Sequence, residues 1–451
     1  MTDPATLAAW DHGHLWHPFT QMADWLDEEP LVIAEAEGCT LVDTHGRRYL
    51  DGVSSLWCNV HGHRHPTLDA AVRGQLDRVA HSTLLGLANV PSIELAEALV
   101  AVAPPGLTRV FYSDAGATAV EAALRIALQY QQLRGETQRV RLASLVEAYH
   151  GDTLGAVGVG YSETFHRHIE TAVTQAVRLT PPHVFRWQRA LAADAAVDRA
   201  IAEAEQTLAA AGSSLAALIV EPLVQGAAGM WIHPPRYLRA LRALAAHHGA
   251  LFIADEVATG FGKTGAMFAC TLADVQPDIL CLAKGITGGY MPLAATLATE
   301  AVFDAFLGRH EDFRAFFHGH TYTGNPLACA AGLANLRVFH DERTLERLEG
   351  KIAQLAARLA ADVNPLPHVG EVRQQGIMVG IELVTDRGAR APYPAAARIG
   401  QWVVRAARAR GVVIRPLGNV IVLMPPLAIA ATELDRLLDV TREAIVEATG
   451  A

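Results

Sequence analysis

The feature that most constrains the fold is a regular alternation of short apolar runs with longer amphipathic stretches. The apolar runs, each the length of a buried strand or part of one, are Leu218–Val220, Leu251–Ala254 and Ile279–Leu282. The amphipathic stretches, which favour helices, are Ala119–Gln132, Ala195–Ala211 and Pro235–His248. Apolar runs without polar alternation are typical of parallel strands that are covered on both faces. The alternation therefore predicts an α/β domain built on a doubly wound, mostly parallel sheet.

The pattern changes after about residue 335 and indicates a second, smaller domain. One long helical stretch covers Leu336–Asp362, and β-like segments at 377–383 and 412–414 flank a helix near 398–410. A last helix begins near Thr432. The predicted divisions are an N-terminal arm that packs with the small domain, 1–64; a large doubly wound domain, 65–335; and a small α+β C-terminal domain, 336–451.

Composition excludes several classes of protein. Of the 451 residues 51% are hydrophobic and 19% are charged, which supports a large core and excludes global disorder. The 37 Lys and Arg against 47 Asp and Glu give a net charge of −10, which argues against a nucleic-acid scaffold with a basic face. The longest uncharged run, 315–336, contains His318, His320, Asn325 and Pro326, so we expect no membrane span there.

Cysteine usage and the N-terminus both indicate a cytoplasmic protein. The cysteines are odd in number, form no C-x-x-C pair and are Cys39, Cys58, Cys270, Cys281 and Cys329. In a chain with so large a core they are expected to be reduced and mostly buried. Residues 1–10 have neither the basic nor the apolar region of a signal peptide.

Two polar residues follow neighbouring apolar runs and make the strongest local signal for chemistry. Asp255 ends one run, and Lys284 comes just after the next. In open α/β sheets functional groups gather where the strands end. A carboxylate and an amine at adjacent strand ends suit pyridoxal phosphate, which needs a lysine for its aldehyde and an acid for its ring nitrogen. A purely structural ion pair explains the same two positions.

A phosphate site is predicted where residues 112–118, which include Ala115, Gly116 and Ala117, run into the helix at 119–132. The N–H groups and dipole of a helix N-terminus attract an anion, although an ordinary capped helix start looks similar. A nucleotide-binding P-loop at Gly262-Lys263-Thr264 is rejected, because the pattern requires glycine at position 257, which is Val257.

The remaining polar motifs give weaker signals. The histidines at 61–65 and 318–320 lack carboxylate or cysteine ligands at metal spacing, so we expect no metal and interpret them as loop residues of a cofactor pocket. Arg415 follows an apolar segment, where an arginine can clamp a substrate carboxylate or simply lie on the surface. The sequence contains neither a G-x-S-x-G elbow nor a basic, aromatic stripe for nucleic acid.

Taken together, these segments resemble the class III pyridoxal-phosphate aminotransferases of fold type I over nearly the whole chain. The matching strings are His17–Thr20, Ser54–Trp57, Asp114–Ala117, Tyr149–Thr153, Val224–Gly226, Ile253–Gly262, Gly324–Pro326 and Arg415-Pro416. Within that class the chain is most similar to the biotin-pathway branch, whose members convert 8-amino-7-oxononanoate to 7,8-diaminononanoate. The Asp-Glu and Ala-Lys-Gly strings specify the class, and the Tyr-His-Gly-Asp-Thr and Arg-Pro strings favour the branch.

The resemblance implies roles for the residues of the cofactor site. Lys284 would bond the cofactor's aldehyde and then move a proton between the substrate and the cofactor. Asp255 would bond the pyridine nitrogen and keep it cationic. Gly116 and Ala117 would donate backbone N–H groups to the phosphate. Tyr149 would stack on the ring and shape the substrate pocket.

The resemblance also implies contacts to the substrate and between subunits. Gln225 is expected to bond the ring's phenolate oxygen, and Thr321, with His320, to reach the phosphate from the other subunit. Arg415 would hold the substrate carboxylate. The residues implied in substrate binding are Phe19, Leu56, Trp57, Tyr149, Gly319 and Arg415. A site built from two chains implies a homodimer whose partners are small-molecule substrates, without nucleic acid or membrane.

The chain departs from the family's better-known members at the substrate pocket. It has Phe19 in place of Tyr, Leu56-Trp57 in place of Trp-Trp, and Val422 in place of Tyr. Most of these enzymes use S-adenosylmethionine as amino donor, and aromatic faces attract its sulfonium by about 0.5–2 kcal/mol. A pocket with fewer aromatic groups should hold that cation less well.

The identity of the amino donor therefore stays open between two hypotheses. Family frequency favours S-adenosylmethionine. The strings Phe19–Met22 and His81–Gly86 resemble a branch that uses lysine instead. An ω-amino-acid or polyamine:pyruvate aminotransferase would share the cofactor site and differ in its acceptor, and a non-catalytic binding protein of the same fold would have little reason to keep Asp255 and Lys284 together.

Overall fold

The structure, a computed structural model, describes residues 2–450 of the chain. In chain order its strands are β1 Ile33–Glu37, β2 Thr40–Asp43, β3 Arg48–Asp51, β4 Leu107–Ser113, β5 Arg141–Leu145, β6 Val177–Leu179, β7 Leu215–Val220, β8 Val224–Gln225, β9 Trp231–Ile232, β10 Leu251–Asp255, β11 Ile279–Leu282, β12 Ala294–Thr299, β13 Val369–Gln375, β14 Met378–Asp386, β15 Ala391–Pro392, β16 Val412–Val413, β17 Arg415–Leu417 and β18 Val420–Leu423. Its helices are α1 Pro4–His14, α2 Met22–Leu26, α3 Ser54–Trp57, α4 Pro66–Leu76, α5 Val90–Val102, α6 Gly116–Leu133, α7 Leu154–Gly160, α8 Glu163–His166, α9 Ala193–Ala211, α10 Pro235–His247, α11 Ala269–Ala273, α12 Glu300–Asp304, α13 Pro326–Asp341, α14 Thr344–Arg358, α15 Ile399–Ala409 and α16 Ala431–Thr449.

The largest sheet has the strand order β4-β12-β11-β10-β7-β5-β6, and all of its strands are parallel except β12. Successive residues of its central strands point to opposite faces. Leu218 and Phe252 pack with α9 and α10 on one face, whereas Ile219 and Ile253 pack with α6 on the other. This two-sided burial explains why the strands are continuous apolar runs.

Two smaller sheets lie outside this layer. In one, β1, β2, β3 and β16 follow each other, and β3 pairs in parallel with β16 through Leu50 and Val412. In the other, β13, β14, β18 and β17 are antiparallel neighbours, with β15 on β14. A buried cluster joins Leu50 and Val412 to Leu383 of β14 and Leu437 of α16. The N-terminal strands therefore share a core with the C-terminal segment.

The structure confirms the three predicted strands as β7, β10 and β11, and the α/β class with them. The predicted single helix Leu336–Asp362 is wrong, because α13 ends at Asp341 and α14 begins at Thr344 after Arg343 adopts a left-handed φ of 52°. The divisions at 64/65 and 335/336 stay predictions, and the second lies inside α13. Among residues 2–450 no helix has both the length and the apolar character needed to cross a membrane.

Candidate active site

Four polar residues meet where the parallel strands of the large sheet end. Tyr149 follows β5, Glu221 follows β7, Asp255 ends β10 and Lys284 follows β11. All four line one cavity of about 700 Å³, which we call the inner cavity. The carboxyl ends of parallel strands are the usual place for a ligand in this architecture, so the topology itself brings these groups together.

Lys284 is the amine of the inner cavity. Its backbone has a left-handed φ of 47°, a strained conformation for a residue with a side chain, which turns the chain sharply after β11. Its Nζ lies 5.1 Å from the centre of the Trp57 ring. Burial lowers the pKa of Lys284, and the negative charges of Asp255 and Glu221 partly oppose that shift. A lowered pKa increases the neutral fraction of the amine, which is the nucleophilic form.

Asp255 is a buried carboxylate that is held on two sides. Its Oδ2 lies 2.7 Å from Nδ1 of the buried His150, and its Oδ1 accepts a hydrogen bond of 3.0 Å from the Val257 N–H. Within residues 2–450 the other ring nitrogen of His150, Nε2, is buried without a partner. Sequence reasoning missed His150, although it stands in the Tyr149–Thr153 string. The paired Asp255 offers a fixed negative charge to a cationic ring.

Glu221 is a second buried carboxylate that sequence reasoning missed. It accepts hydrogen bonds from the backbone N–H groups of Tyr149, at 3.0 Å, and Gly226, at 2.9 Å. Burial raises the pKa of Glu221 to about 7, against the opposing effect of His150. The side chain therefore ties two walls of the inner cavity together. The sequence pattern that indicates Glu221 is the same one that indicates Asp255, namely an acidic residue directly after a buried apolar run.

The N-terminus of α6 forms an anion cradle at the inner cavity. Gly116 and Ala117 border the cavity, and no acceptor in the described part of the chain bonds their N–H groups. The Thr118 hydroxyl instead accepts from the Ala115 N–H at 3.0 Å and donates to its carbonyl at 2.8 Å. A Cβ at Gly116 would lie 2.6 Å from a methyl carbon of Val257. The glycine and the two N–H groups without an acceptor in the described residues thus suit a phosphate group.

Tyr149 closes another side of the inner cavity. Its hydroxyl donates a hydrogen bond of 2.7 Å to Oδ2 of Asp152, which also lines the cavity. Burial, together with Asp152, raises the pKa of Tyr149, so the phenol stays protonated and neutral at physiological pH. A neutral aromatic ring beside the cradle and the amine can pack against a planar ligand.

A second cavity, of about 1200 Å³, adjoins the first, and we call it the outer cavity. Ala227 borders both cavities, so a long substrate can extend from one to the other. The outer cavity is lined by Phe19 and Arg415, two of the predicted substrate residues. Burial lowers the pKa of Arg415, and no carboxylate of residues 2–450 lies within salt-bridge distance of its guanidinium. An arginine of this kind suits a ligand carboxylate.

Several predicted residues border neither cavity in this single chain. They are Leu56, Gln225, Gly319, His320 and Thr321. Gln225 is buried and donates its amide to the Val146 carbonyl at 2.9 Å. Nδ1 of His320 lies 2.8 Å from the Asp114 carboxylate, which does line the inner cavity. The roles given to these residues, including contact from a second subunit, stay predictions.

The histidines that the sequence pattern assigned to a cofactor pocket do not border the inner cavity. Neither the group at 61–65 nor the pair at 318–320 borders the inner cavity, whereas His150 does. His65 instead bonds Glu342 at 2.9 Å, and that contact links the loop before α4 to the end of α13. In residues 2–450 no three His, Cys, Asp or Glu side chains are grouped closely enough to hold a metal ion.

Comparisons with known proteins agree with this geometry. The family model described as aminotransferase class-III matches residues 21–445. The chain is similar to the adenosylmethionine-8-amino-7-oxononanoate aminotransferase of Nitratidesulfovibrio vulgaris, with 57% identity over 99% of this chain and 82% of the relative. Among solved structures it is similar to the enzyme of that name from Methanocaldococcus jannaschii, with 42% identity, 99% coverage of both chains and a TM-score of 0.93. It is also similar to an (S)-enantioselective omega-transaminase from Thermomicrobium roseum, with 36% identity, the same coverage and a TM-score of 0.95.

Proposed function

The chain belongs to the class III aminotransferase family and is a transaminase of fold type I, and from that premise we propose its substrates. It transfers an amino group from S-adenosylmethionine to the ketone of 8-amino-7-oxononanoate, which gives 7,8-diaminononanoate for biotin biosynthesis. The observation that carries this proposal is the 57% identity, over 99% of the chain, to a relative with that name. The unpaired Arg415 in the outer cavity supports it, because the keto substrate ends in a carboxylate.

Pyridoxal 5'-phosphate is the cofactor, and the residues of the inner cavity fit each part of it. When bound, it withdraws electrons from the substrate carbon that carries the amino group, which makes the proton on that carbon removable. The N–H groups of Gly116 and Ala117 would hold its phosphate. The Asp255 carboxylate, fixed by His150, would hold its ring nitrogen in the protonated form, and Tyr149 would pack against its ring.

Lys284 moves the proton in this reaction. Its Nζ would take a proton from the substrate carbon that carries the amino group and return one to the cofactor's aldehyde carbon, so the amine must alternate between neutral and charged forms. The lowered pKa of Lys284 makes the neutral form more accessible near physiological pH. The strained backbone at residue 284 fixes the direction from which the amine approaches.

Arg415 orients the keto substrate. A guanidinium can bind a carboxylate through two parallel hydrogen bonds, which fix direction as well as position. With the carboxylate at Arg415 in the outer cavity, the chain of the substrate would pass Ala227 and place its ketone in the inner cavity. Phe19 and the other apolar groups of the outer cavity would exclude water along this path.

A second candidate uses lysine as the amino donor for the same acceptor. The observation that favours it is Phe19, which lines the outer cavity without the hydroxyl group that better-known family members have there. Without that group the cavity offers the sulfonium of S-adenosylmethionine one polar contact fewer.

We further infer a homodimer in the cytoplasm. Large apolar side chains on two neighbouring segments are unusually exposed, including Leu85 at 73%, Phe313 at 70% and Phe317 at 69%. Contiguous exposed apolar surface is typical of a protein–protein interface. His320 and Thr321 lie beside Phe317 in the same loop, close to the inner cavity through Asp114.

All five cysteines are unpaired, as expected in a reducing compartment.

A half-reaction on the yellow holoenzyme tests the proposal. S-adenosylmethionine and lysine are added to separate samples, and loss of colour shows which donor delivers its amino group. 8-Amino-7-oxononanoate is then added to the bleached sample. Return of the colour with formation of 7,8-diaminononanoate is the expected result. Bleaching by lysine alone selects the second candidate, and no recovery with the keto acid contradicts the biotin-pathway assignment.

A further inference from the structure

Glu147 is a charged residue that none of the roles above explains. It stands in the turn that directly follows β5, two residues before Tyr149, and it is one of the residues that line the outer cavity. Its backbone has a left-handed φ of 59°, which glycine and asparagine adopt far more easily than glutamate. Strained residues of this kind are concentrated at functional sites, so the conformation is a reason to ask what the carboxylate does.

The charges around Glu147 leave it without a partner in the chain. It is the single acidic side chain among the described residues that line the outer cavity. The cavity's other charges are arginines, and of these Arg186 is paired with Glu382. Arg178 is near enough to Glu147 for an electrostatic effect, yet its guanidinium donates to Ser144 Oγ at 2.6 Å and to backbone carbonyls. No residue between 2 and 450 forms a salt bridge with Glu147.

The lining of the outer cavity therefore presents one unpaired anion, one unpaired cation and several aromatic faces. The aromatic side chains are Trp16, Phe19, Phe165, Trp187 and Trp231. Aromatic faces and a carboxylate both attract a cation, whereas Arg415 attracts a carboxylate. The carboxylate of the keto substrate meets Arg415, and its 8-amino group, on the carbon next to the ketone, would enter the inner cavity with the ketone. The carboxylate of Glu147 is therefore left for the other substrate of the exchange.

We propose that Glu147 selects the amino donor, by binding a positive charge that the donor carries in addition to its reacting amine. This inference rests on the proposed function, because it assumes that the donor occupies the outer cavity. It applies to the sulfonium of S-adenosylmethionine and to the second ammonium group of lysine alike. Glu147 is thus a specificity-determining residue for a dicationic class of donor, and its strained backbone is retained because the carboxylate is needed in the outer cavity.

The test compares pairs of donors that differ chiefly in this charge. S-adenosylmethionine is paired with S-adenosylhomocysteine, which lacks the sulfonium charge, and lysine is paired with norleucine, which lacks the second ammonium group. For the wild type, Glu147→Gln and Glu147→Asp, the rate of the first half-reaction and its dependence on donor concentration give an apparent affinity for each compound. Calorimetric titration of the borohydride-reduced holoenzyme gives affinities that do not depend on turnover. Glu163→Gln, at the exposed start of α8, is the matched control.

Glu147→Gln should reduce the preference for the charged member of at least one pair by about fivefold, the effect of losing one partly exposed ion pair. The affinity for the neutral member should not change. Glu147→Asp, which keeps the charge and suits the left-handed backbone, should retain the preference, and so should Glu163→Gln. An equal loss for charged and neutral donors, or an unchanged preference in Glu147→Gln, would overturn the inference.

Two further results separate this inference from the proposed function. If the wild type forms no 7,8-diaminononanoate with either donor, the proposed function fails. The ratio of affinities for the charged and neutral member of each pair still shows whether Glu147 binds the additional positive charge. Glu147→Gly should raise the melting temperature, because glycine relieves the left-handed strain, while it abolishes the preference for charged donors. A glycine variant that keeps the preference would show that the carboxylate is not the group that selects.

Discussion

The inner and the outer cavity differ in how their charges are held. In the inner cavity Asp255 is bonded to His150 and Glu221 to two backbone N–H groups, and these carboxylates stand at the ends of central strands. In the outer cavity Arg415 and Glu147 have no salt-bridge partners within residues 2–450, and the walls come from the N-terminal arm, from turns and from the short strands β9 and β17. The groups that we propose hold the cofactor are therefore paired within the chain, whereas those that we propose bind a substrate are not.

This difference explains why the backbone alone does not identify the substrate. An omega-transaminase and an oxononanoate aminotransferase match the chain about equally well in structure. One fold can host more than one activity, because the activity depends on the side chains of the site and not on the backbone alone. Under the proposed function, the choice of substrate would rest on a few side chains of the outer cavity, which hardly alter the course of the backbone.

The largest effect is expected at the amine of the inner cavity. Lys284→Ala removes the group that moves the proton, so transamination should fall by at least about 10³-fold, within the range for loss of a general acid–base group. Single-turnover kinetics with either donor measures the loss. Lys351→Ala, whose amine donates to the Leu427 carbonyl far from this reaction, should keep turnover near the wild-type rate. A Lys284→Ala enzyme with wild-type turnover would contradict the mechanism.

The next effect concerns the contribution of Glu221 in the inner cavity to the stability of the folded protein. The pKa of Glu221 is raised from 4.5 to about 7 by burial. Between pH 4.5 and 7 the Glu221 carboxyl therefore keeps its proton in the folded state and has lost it in the unfolded state. The stability that Glu221 contributes through this proton is present in full below pH 4.5 and is lost as pH rises through 7. The free energy of unfolding of the wild type should fall by about 3 kcal/mol over that interval relative to Glu221→Gln, which has no proton to lose.

Urea unfolding of the ligand-free protein at a series of pH values measures this difference. Glu163→Gln is a suitable control, because its exposed carboxylate should follow the wild-type curve. If the free energies of unfolding of the wild type and Glu221→Gln change with pH in parallel, the raised pKa of Glu221 does not affect stability.

Arg415→Met tests whether Arg415 binds the substrate carboxylate without contributing to cofactor binding. Hydrogen bonds to a charged group are worth about 1.5–3 kcal/mol, so kcat/KM for 8-amino-7-oxononanoate should fall by about 10- to 150-fold. The affinity for pyridoxal phosphate should not change, since Arg415 does not border the inner cavity. Arg442→Met, on the exposed face of α16, is the control. A matching loss of cofactor affinity would mean that the two cavities are not independent.

The sequence predicts the inner cavity better than the outer one, for a physical reason. Buried parallel strands appear as apolar runs, so the residues after them, Asp255 and Lys284, can be placed at one sheet edge from the pattern alone. Glu221 has the same signal and was within reach of the same reasoning. Glu147 was not, because its left-handed backbone and its position in a cavity depend on tertiary packing. The contact of His150 with Asp255 could not be predicted either, since it joins two segments that are 105 residues apart in the sequence.

The smallest effect separates the two candidate donors at Phe19. Phe19→Tyr adds a hydroxyl group to the lining of the outer cavity, which can hydrogen-bond to the adenosine part of S-adenosylmethionine that lysine lacks. One hydrogen bond is worth about 0.5–1.5 kcal/mol, so kcat/KM for S-adenosylmethionine should rise by about 2- to 10-fold relative to lysine. Leu56→Trp should have less effect, because Leu56 is about half exposed and borders neither cavity of the single chain. If Leu56→Trp produces the larger change, residue 56 must reach the substrate in the assembled dimer, and the outer cavity is completed by a second subunit. If neither variant alters the ratio of the two donors, the aromatic and hydroxyl groups at positions 19 and 56 do not distinguish S-adenosylmethionine from lysine.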